Sequence, residues 1–213
     1  MNMTRQISNG VNYEKLPSEE TITKTAEAIR QRGIEVIIAD NKEEALEKIK
    51  SLIPEGASVM NGSSTTLDEI GFVDYLKSGK YSWKNLHEPI SKEQDQQKRM
   101  ILMRQATLAD YFLGSVNAIA ETGELVAADA SGSRIGAYPF AAGKVILVSG
   151  INKIVLTLED AIKRVREYVY PLENERAKRV YGTGSVVGKI LITEREIFPQ
   201  RTTLILVKEK LGF

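Results

Sequence analysis

The stretch DYFLGSVNAIAETGELVAADASGSR, residues 110–134, alternates short apolar runs with glycines and small polar residues. Its apolar runs at 111–113, 118–120 and 125–128 have the length and composition of buried strands. Thr122-Gly123 stands between the second and third runs, where glycine favours a tight reversal. The stretch therefore predicts an antiparallel hairpin, with polar turns that can present side chains to a ligand.

Upstream of this stretch, helical and strand patterns alternate. Ile22, Ala26 and Ile29 share one face of a predicted helix. Residues 36–39 follow as an apolar strand, and a second helical pattern leads to a strand at 57–60. Strand, crossover helix and strand in succession predict an α/β fold with a mixed, mostly parallel sheet covered by helices.

Downstream, the apolar runs 144–148 and 204–207 predict further strands. A helical pattern runs from about Leu158 to Tyr168, and another begins near Glu173. Pro171 lies between them, and we expect it to end the first helix because proline lacks the backbone N–H that a helix interior needs.

The chain has 213 residues, enough for one domain with a full hydrophobic core. We expect a single domain at 16–213 after a flexible segment at 1–15. Lys plus Arg number 29 against 28 for Asp plus Glu, so the net charge of +1 gives no reason to expect a nucleic-acid or membrane partner. No apolar run approaches the ~20 residues of a transmembrane helix, and no signal peptide is evident, so we expect a cytoplasmic location.

Composition also limits the cofactors. The chain has no cysteine, which excludes disulfides, thiolate zinc sites and iron–sulfur ligation by its own residues. The single histidine, His87, excludes a multi-histidine metal site, and it stands in no triad pattern, so we expect a solvated or capping role for it. We therefore expect no metal and no resident cofactor.

A first candidate site follows the strand at 57–60. The hydroxyls of Ser63, Ser64 and Thr65 precede a helical run, and free N–H groups at a helix N-terminus favour phosphate or carboxylate. The alternative is a simple helix cap, in which Thr66 and Glu69 form a capping box. The sequence leaves both interpretations open.

A second candidate site is the turn that ends the quoted stretch. Asp129, Ser131 and Ser133 surround a glycine, and Arg134 can hold a phosphate or carboxylate with paired N–H donors. The alternative is a surface turn in which Arg134 pairs with Asp129. Ligands of open α/β sheets collect at the carboxyl ends of strands, and both candidate sites lie there in the predicted fold.

Residues 114–123, GSVNAIAETG, resemble the central signature of the lactate-utilisation (LUD) domain family. The resemblance extends to 61–71 and 145–153. It implies a fold similar to that of ribose-5-phosphate isomerase, glucosamine-6-phosphate deaminase and the coenzyme A transferases. It also adds Asn117, Asn152 and Lys153 to the candidate ligand-binding residues, since Lys153 would complete an anion site.

Glu121 is the candidate catalytic residue. From the residues alone, a glutamate beside Thr122-Gly123 is best explained as an exposed turn carboxylate. The resemblance implies more, because a glutamate carries the acyl group in the coenzyme A transferases of similar fold. Assigning Glu121 as nucleophile or base is therefore an analogy of fold and not a motif match.

The resemblance implies a component of lactate utilisation that binds a small anionic organic ligand. Some related proteins carry cysteine motifs or iron–sulfur modules, which this chain lacks, so flavin or iron–sulfur partner subunits would have to carry electrons. One alternative is a stand-alone enzyme acting on a sugar phosphate or acyl-coenzyme A through a carboxylate. Another is a structural subunit. The sequence leaves open whether the chain forms a homo-oligomer.

Overall fold

The computed structural model describes residues 12–213, which form two β-sheets surrounded by helices. The strands are β1 Glu35–Ala39, β2 Ser58–Asn61, β3 Lys84–Asn85, β4 Tyr111–Gly114, β5 Ala118–Ala120, β6 Leu125–Asp129, β7 Lys144–Gly150, β8 Ile154–Val155, β9 Lys189–Thr193 and β10 Thr202–Val207. The α-helices are α1 Glu19–Gln31, α2 Lys42–Leu52, α3 Thr65–Glu69, α4 Phe72–Ser78, α5 His87–Lys92, α6 Gln96–Gln105, α7 Leu158–Arg164 and α8 Tyr170–Tyr181.

The larger sheet has six strands in the order β1-β10-β7-β4-β2-β3, and each neighbouring pair is parallel. Every residue of β10 is buried, as is β7 from Val145 onward, because helices cover both faces of the sheet. β10 comes last along the described chain, yet it lies between β1 and β7, with Glu35 paired to Thr203. The predicted mostly parallel, helix-covered α/β fold is confirmed.

The smaller sheet has four strands in the order β8-β5-β6-β9. β5 and β6 form the antiparallel hairpin that the sequence predicts, with Ala118 paired to Val126. The hairpin does not join the larger sheet, because β5 pairs on its other edge with β8 and β6 pairs with β9. The smaller sheet thus stands beside the carboxyl ends of the larger sheet's strands, where it forms part of a cavity wall.

Residues 158–181 form one continuous helical segment, in which the π-helical turn Val165–Val169 joins α7 to α8. The expectation that Pro171 ends a helix is therefore wrong. Pro171 stands in the first turn of α8, directly after the π-helical turn, where the hydrogen-bond register changes and the missing N–H costs little.

The described chain begins with Asn12, and Tyr13 is buried against Tyr168, their ring centroids 5.4 Å apart. Most of the segment predicted to be flexible, at 1–15, falls on residues 1–11, which lie outside the described residues. Among the helices of residues 12–213, none is both long and apolar enough to cross a membrane.

Candidate functional site

A cavity of about 510 Å³ lies at the carboxyl ends of β2, β3, β4 and β7. Each of these strands is followed by polar residues that line it, and the turn after β6 and one face of α8 complete the wall. The position agrees with the general tendency of α/β proteins to bind ligands beyond the carboxyl ends of parallel strands. The lining includes most of the predicted site residues, namely Ser63, Ser64, Thr65, Asn117, Asp129, Ser131, Ser133, Arg134 and Lys153.

Lys153 is the most buried charged side chain of the lining, with 2% of its surface exposed. It follows β7, and its Nζ lies within hydrogen-bond distance of Thr66 Oγ1 at 2.9 Å, Ser115 Oγ at 3.0 Å and Val116 O at 3.1 Å. All three partners are neutral oxygens. Burial lowers the pKa of the Lys153 amine well below its ordinary value, the charges of Arg164 and Arg134 lower it further, and Glu69 acts in the opposite direction.

Arg164 lies beneath Lys153 and is fully buried in α7. Its guanidinium donates to the carbonyls of Asn117 and Asn152 and lies against the ring of Tyr168, 5.0 Å from the centroid. Burial lowers the pKa of Arg164 to about 10. The carbonyls that Arg164 holds belong to Asn117, which lines the cavity, and to the residue before Lys153, so Arg164 fixes the backbone next to two lining residues.

Arg134 connects the two candidate anion-binding segments. Its Nη1 donates to Ser63 O at 3.3 Å, and its Nη2 donates to Ala128 O. The side chain lies directly over Gly62, where a Cβ atom would overlap the Arg134 methylenes. Glycine at this position is therefore a steric requirement for the placement of the guanidinium.

Asp129 organises the turn that carries Arg134. Its carboxylate accepts hydrogen bonds from the backbone N–H groups of Ser131 at 3.2 Å, Arg134 at 2.9 Å and Ile135 at 3.4 Å. Burial alone would raise the pKa of Asp129, but these N–H groups and the Arg134 charge outweigh burial and lower it. An ionised carboxylate held in this way shapes a loop and is a poor proton acceptor. Ser131 and Ser133 bond to each other through their hydroxyls at 2.9 Å.

The structure corrects the prediction for the segment after β2. The cap of α3 is Ser64, whose hydroxyl accepts from Leu67 N at 3.3 Å, and not the predicted pair of Thr66 and Glu69. Glu69 instead accepts from Gly212 N at 2.6 Å. Because α3 has only five residues, its N-terminus offers little dipole, and any anion affinity depends on side-chain donors.

Two predicted residues do not line the cavity. Asn152 is buried with its side chain bonded to the C-terminal segment, since Oδ1 accepts from Leu211 N at 3.0 Å and Nδ2 donates to Gly212 O at 3.5 Å. Glu121 is half-buried at the hairpin turn, where its backbone N–H donates to Val155 O at 2.8 Å, and it is absent from the lining. The expectation that Glu121 lines the cavity is therefore corrected, because the turn that carries it contacts β8 through Val155 O.

Sequence reasoning missed His87, which lines the cavity at the start of α5. Its Nε2 lies 2.8 Å from Asn61 Oδ1 and 3.1 Å from Asn61 O. Burial lowers the pKa of His87, although its hydrogen bond with the Asn61 backbone acts in the opposite direction. No local sequence pattern predicts this role, because Asn61 is 26 positions earlier in the chain.

Sequence reasoning also missed the wall that α8 supplies. Arg176 makes two hydrogen bonds to Glu173, at 2.7 and 2.8 Å, and lies 5.6 Å from the ring centroid of Tyr181. The hydrogen bonds that Arg176 donates to Glu173 are the largest cause that raises the pKa of Arg176 above its ordinary value. The rest of this wall is apolar or aromatic, formed by Val165, Val169, Tyr170, Ala177, Val186 and Val187. The cavity is therefore polar at the strand ends and largely apolar along α8.

Within residues 12–213, no group of three or more His, Cys, Asp or Glu side chains is placed to hold a metal ion. The cavity offers instead cationic, hydroxyl and amide donors. Such a set can bind an anion and hold a proton near it.

An α/β domain with a donor-rich cavity at the ends of its parallel strands is the class of protein that this fold and site define. The chain belongs to the LUD domain family, whose model matches residues 22–207. It is also similar in fold to a DUF162 family protein of known crystal structure from Deinococcus radiodurans, with 14% identity and a TM-score of 0.53 over 91% of this chain and 99% of that one. A comparison with curated proteins gives no match. Family membership supports a role related to lactate utilisation.

Proposed function

We propose that this protein is a component of lactate or related organic-acid utilisation that binds a small organic anion in the cavity at the strand ends. One observation carries the proposal: Arg134 and the buried Lys153 line the same cavity as the hydroxyls of Ser63, Ser131 and Ser133. A guanidinium, an amine and several hydroxyls are the donors that carboxylates and phosphates require.

The carboxylates in the cavity wall do not oppose this role. Asp129 is occupied by backbone N–H groups, and Glu173 is paired with Arg176. Arg134 has five N–H donors, and the hydrogen bonds to Ser63 O and Ala128 O leave others for a ligand. An incoming anion would therefore find N–H donors of Arg134 that have no other partner among the described residues, and it would meet no unpaired negative charge from Asp129 or Glu173.

Calorimetric titration with a 2-hydroxy acid such as lactate, a 2-oxo acid such as pyruvate, and inorganic phosphate tests the proposal. At a ligand concentration of 100 Kd the complex should gain about 2.7 kcal/mol of stability, which corresponds to a rise in Tm of roughly 5–11 °C. Arg134→Met should weaken binding about 10- to 100-fold, the range for a lost charge-assisted hydrogen bond. Arg99→Met, on the exposed surface of α6, is the matched control and should bind normally. Equal affinity of the two variants would refute the assignment.

Electron transfer would need partners. The chain has no cysteine and cannot hold an iron–sulfur cluster through thiolates. We propose that flavin- or iron–sulfur-bearing subunits carry electrons when the protein takes part in lactate oxidation. Lactate-dependent reduction of an electron acceptor should appear only when such subunits are added, and activity of the purified chain alone would refute this part.

The size of the cavity favours a second candidate function. About 510 Å³ is within the 300–1,000 Å³ range of pockets for drug-sized ligands, which is well above the needs of a three-carbon acid. The apolar wall with Tyr170 and Tyr181 could accommodate the remainder of a larger molecule. The candidate is a stand-alone enzyme acting on a sugar phosphate or an acyl-coenzyme A. Titration with ribose 5-phosphate and acetyl-coenzyme A, beside lactate, distinguishes the two functions by affinity.

A further inference from the structure

Neutral groups enclose the Nζ atom of Lys153. Its Nζ has hydrogen-bond contacts with two hydroxyls and one carbonyl, and no carboxylate oxygen of residues 12–213 lies within ion-pair distance of it. A buried ammonium without a counter-charge is unstable, so burial and the nearby arginines favour the neutral form. In the neutral form the amine has two N–H donors, so one of the three contacts is a hydroxyl donating to the nitrogen. Once a ligand displaces that hydroxyl, the nitrogen electron pair is a nucleophile towards carbonyl carbon.

The two hydroxyls beside the amine can handle protons. Thr66 Oγ1 and Ser115 Oγ lie 2.9 and 3.0 Å from Lys153 Nζ and 3.3 Å from each other. A hydroxyl both donates and accepts, so the three groups form a closed relay through which a proton can leave the nitrogen and reach a neighbouring oxygen.

The backbone passes close to the amine at Gly212. A Cβ atom at Gly212 would lie 2.5 Å from Thr66 Oγ1 and 3.2 Å from Lys153 Nζ. The main chain therefore passes close to the relay without a side chain that would block it.

We propose that Lys153 forms an imine with the carbonyl carbon of a 2-oxo acid whose carboxylate is held by Arg134. This inference rests on the anion-binding role proposed above, and it names the ligand class: a carboxylate next to an electrophilic carbonyl. Both residues line one cavity, and Arg134 is near enough to act electrostatically on Lys153.

The reaction balances without a further reactant. The Nζ electron pair attacks the carbonyl carbon, the C–O π bond breaks, and the oxygen receives a proton from the amine through the Thr66 and Ser115 hydroxyls. The resulting carbinolamine then loses its hydroxyl with a second proton as water, and a C=N bond forms. One amine and one ketone thus give one imine and one water.

Reductive trapping tests the inference. The full chain is incubated with pyruvate and sodium cyanoborohydride, digested, and mapped by mass spectrometry. We expect one reduced adduct per chain at Lys153, labelled about tenfold or more above Lys98, which is exposed on the surface of α6. Labelling spread evenly over exposed lysines would overturn the proposal, and the wild-type map decides this without any variant.

Three variants sharpen the result. Lys153→Met fills the same space and should lose the adduct, whereas Lys98→Met should retain it. Arg134→Met should slow trapping at least about tenfold if Arg134 holds the carboxylate.

Lactate separates this proposal from the binding role, because it has a hydroxyl in place of the carbonyl and cannot form an imine. Binding of lactate without trapping of pyruvate would refute the imine and leave the anion site standing. Absence of both would refute both.

Discussion

Arg201 ties the wall of the cavity to the rest of the fold, and its replacement gives a quantitative test of the structure. The side chain is 8–9% exposed, as is that of Glu196, whose Oε2 lies 3.0 Å from Arg201 Nη1. The guanidinium also donates to the carbonyls of Tyr138 at 2.8 Å and Ala142 at 3.1 Å. Tyr138 in turn donates to Ser115 O, beside the Lys153 amine.

Arg201→Met should destabilise the protein by about 3 kcal/mol. Removing one partner of a buried ion pair costs about 3–5 kcal/mol because the other charge is left uncompensated. The lower end applies here, since Glu196 retains hydrogen bonds from Phe198 N at 3.0 Å and Thr202 Oγ1 at 2.7 Å. For a chain of this length, the loss corresponds to a fall in Tm of roughly 6–12 °C.

Urea unfolding and calorimetry at pH 7 measure this loss, with the double variant Arg201→Met/Glu196→Gln as the control. The double variant should recover part of the loss, because it removes the unpaired carboxylate. A loss below about 1 kcal/mol for Arg201→Met, with no recovery in the double variant, would show that the pair is solvated and would refute the reasoning.

The same pair predicts a pH dependence. Burial alone would raise the pKa of Glu196, but hydrogen bonds from Phe198, Thr202 and Arg201 outweigh burial, so its pKa is lowered. The native state therefore binds fewer protons than the unfolded state as pH falls through the ordinary pKa of the carboxyl. The stability that Glu196 contributes is present above that pKa and is lost as pH falls through the lowered value. Wild type should lose stability in acid more steeply than Glu196→Gln.

Three further predictions follow from the site. Gly62→Ala should weaken anion binding about tenfold, since the new Cβ overlaps Arg134, and titration should show it with little change in Tm. Glu121→Gln should leave cavity binding unchanged and stability within about 0.5 kcal/mol, and a tenfold loss of affinity would contradict the placement of Glu121 outside the lining. Asn152→Ala should cost about 1 kcal/mol and speed amide exchange at Leu211, whose N–H it holds; unchanged exchange would contradict that contact.

The strands were predictable because their sequences carry their own signal. The continuous apolar runs that became β7 and β10 are buried on both faces, so their composition alone identifies them. The separation of the hairpin into a second sheet was not predictable, since it depends on pairing with β9, whose residues are 60 to 68 positions downstream of their partners in β6. Strand pairing over such distances leaves no trace in local periodicity.

The candidate site was predictable in its segments but not in its centre. Glycine and hydroxyl clusters marked the turns that carry Ser63 and Arg134. The environment of Lys153 could not be predicted, because its partners Thr66 and Ser115 are 87 and 38 positions away in sequence. Glu121 was predicted to line the cavity but lies outside the lining, since a resemblance of fold does not determine where the side chains of a turn lie.

The position of β10 between β1 and β7 has a consequence for how the protein is made. β1 pairs with β10 in the larger sheet, so Glu35 has no strand partner until Thr203 has been synthesised. At typical translation rates of 5–20 residues per second, this interval lasts roughly 10–30 seconds. During it, β1 lacks its backbone partner, as does the adjacent edge of β7 once β7 has been synthesised, and both are open to pairing with other chains. A chain that ends before Thr202 would lack the strand between β1 and β7, so such incomplete chains should depend strongly on chaperones.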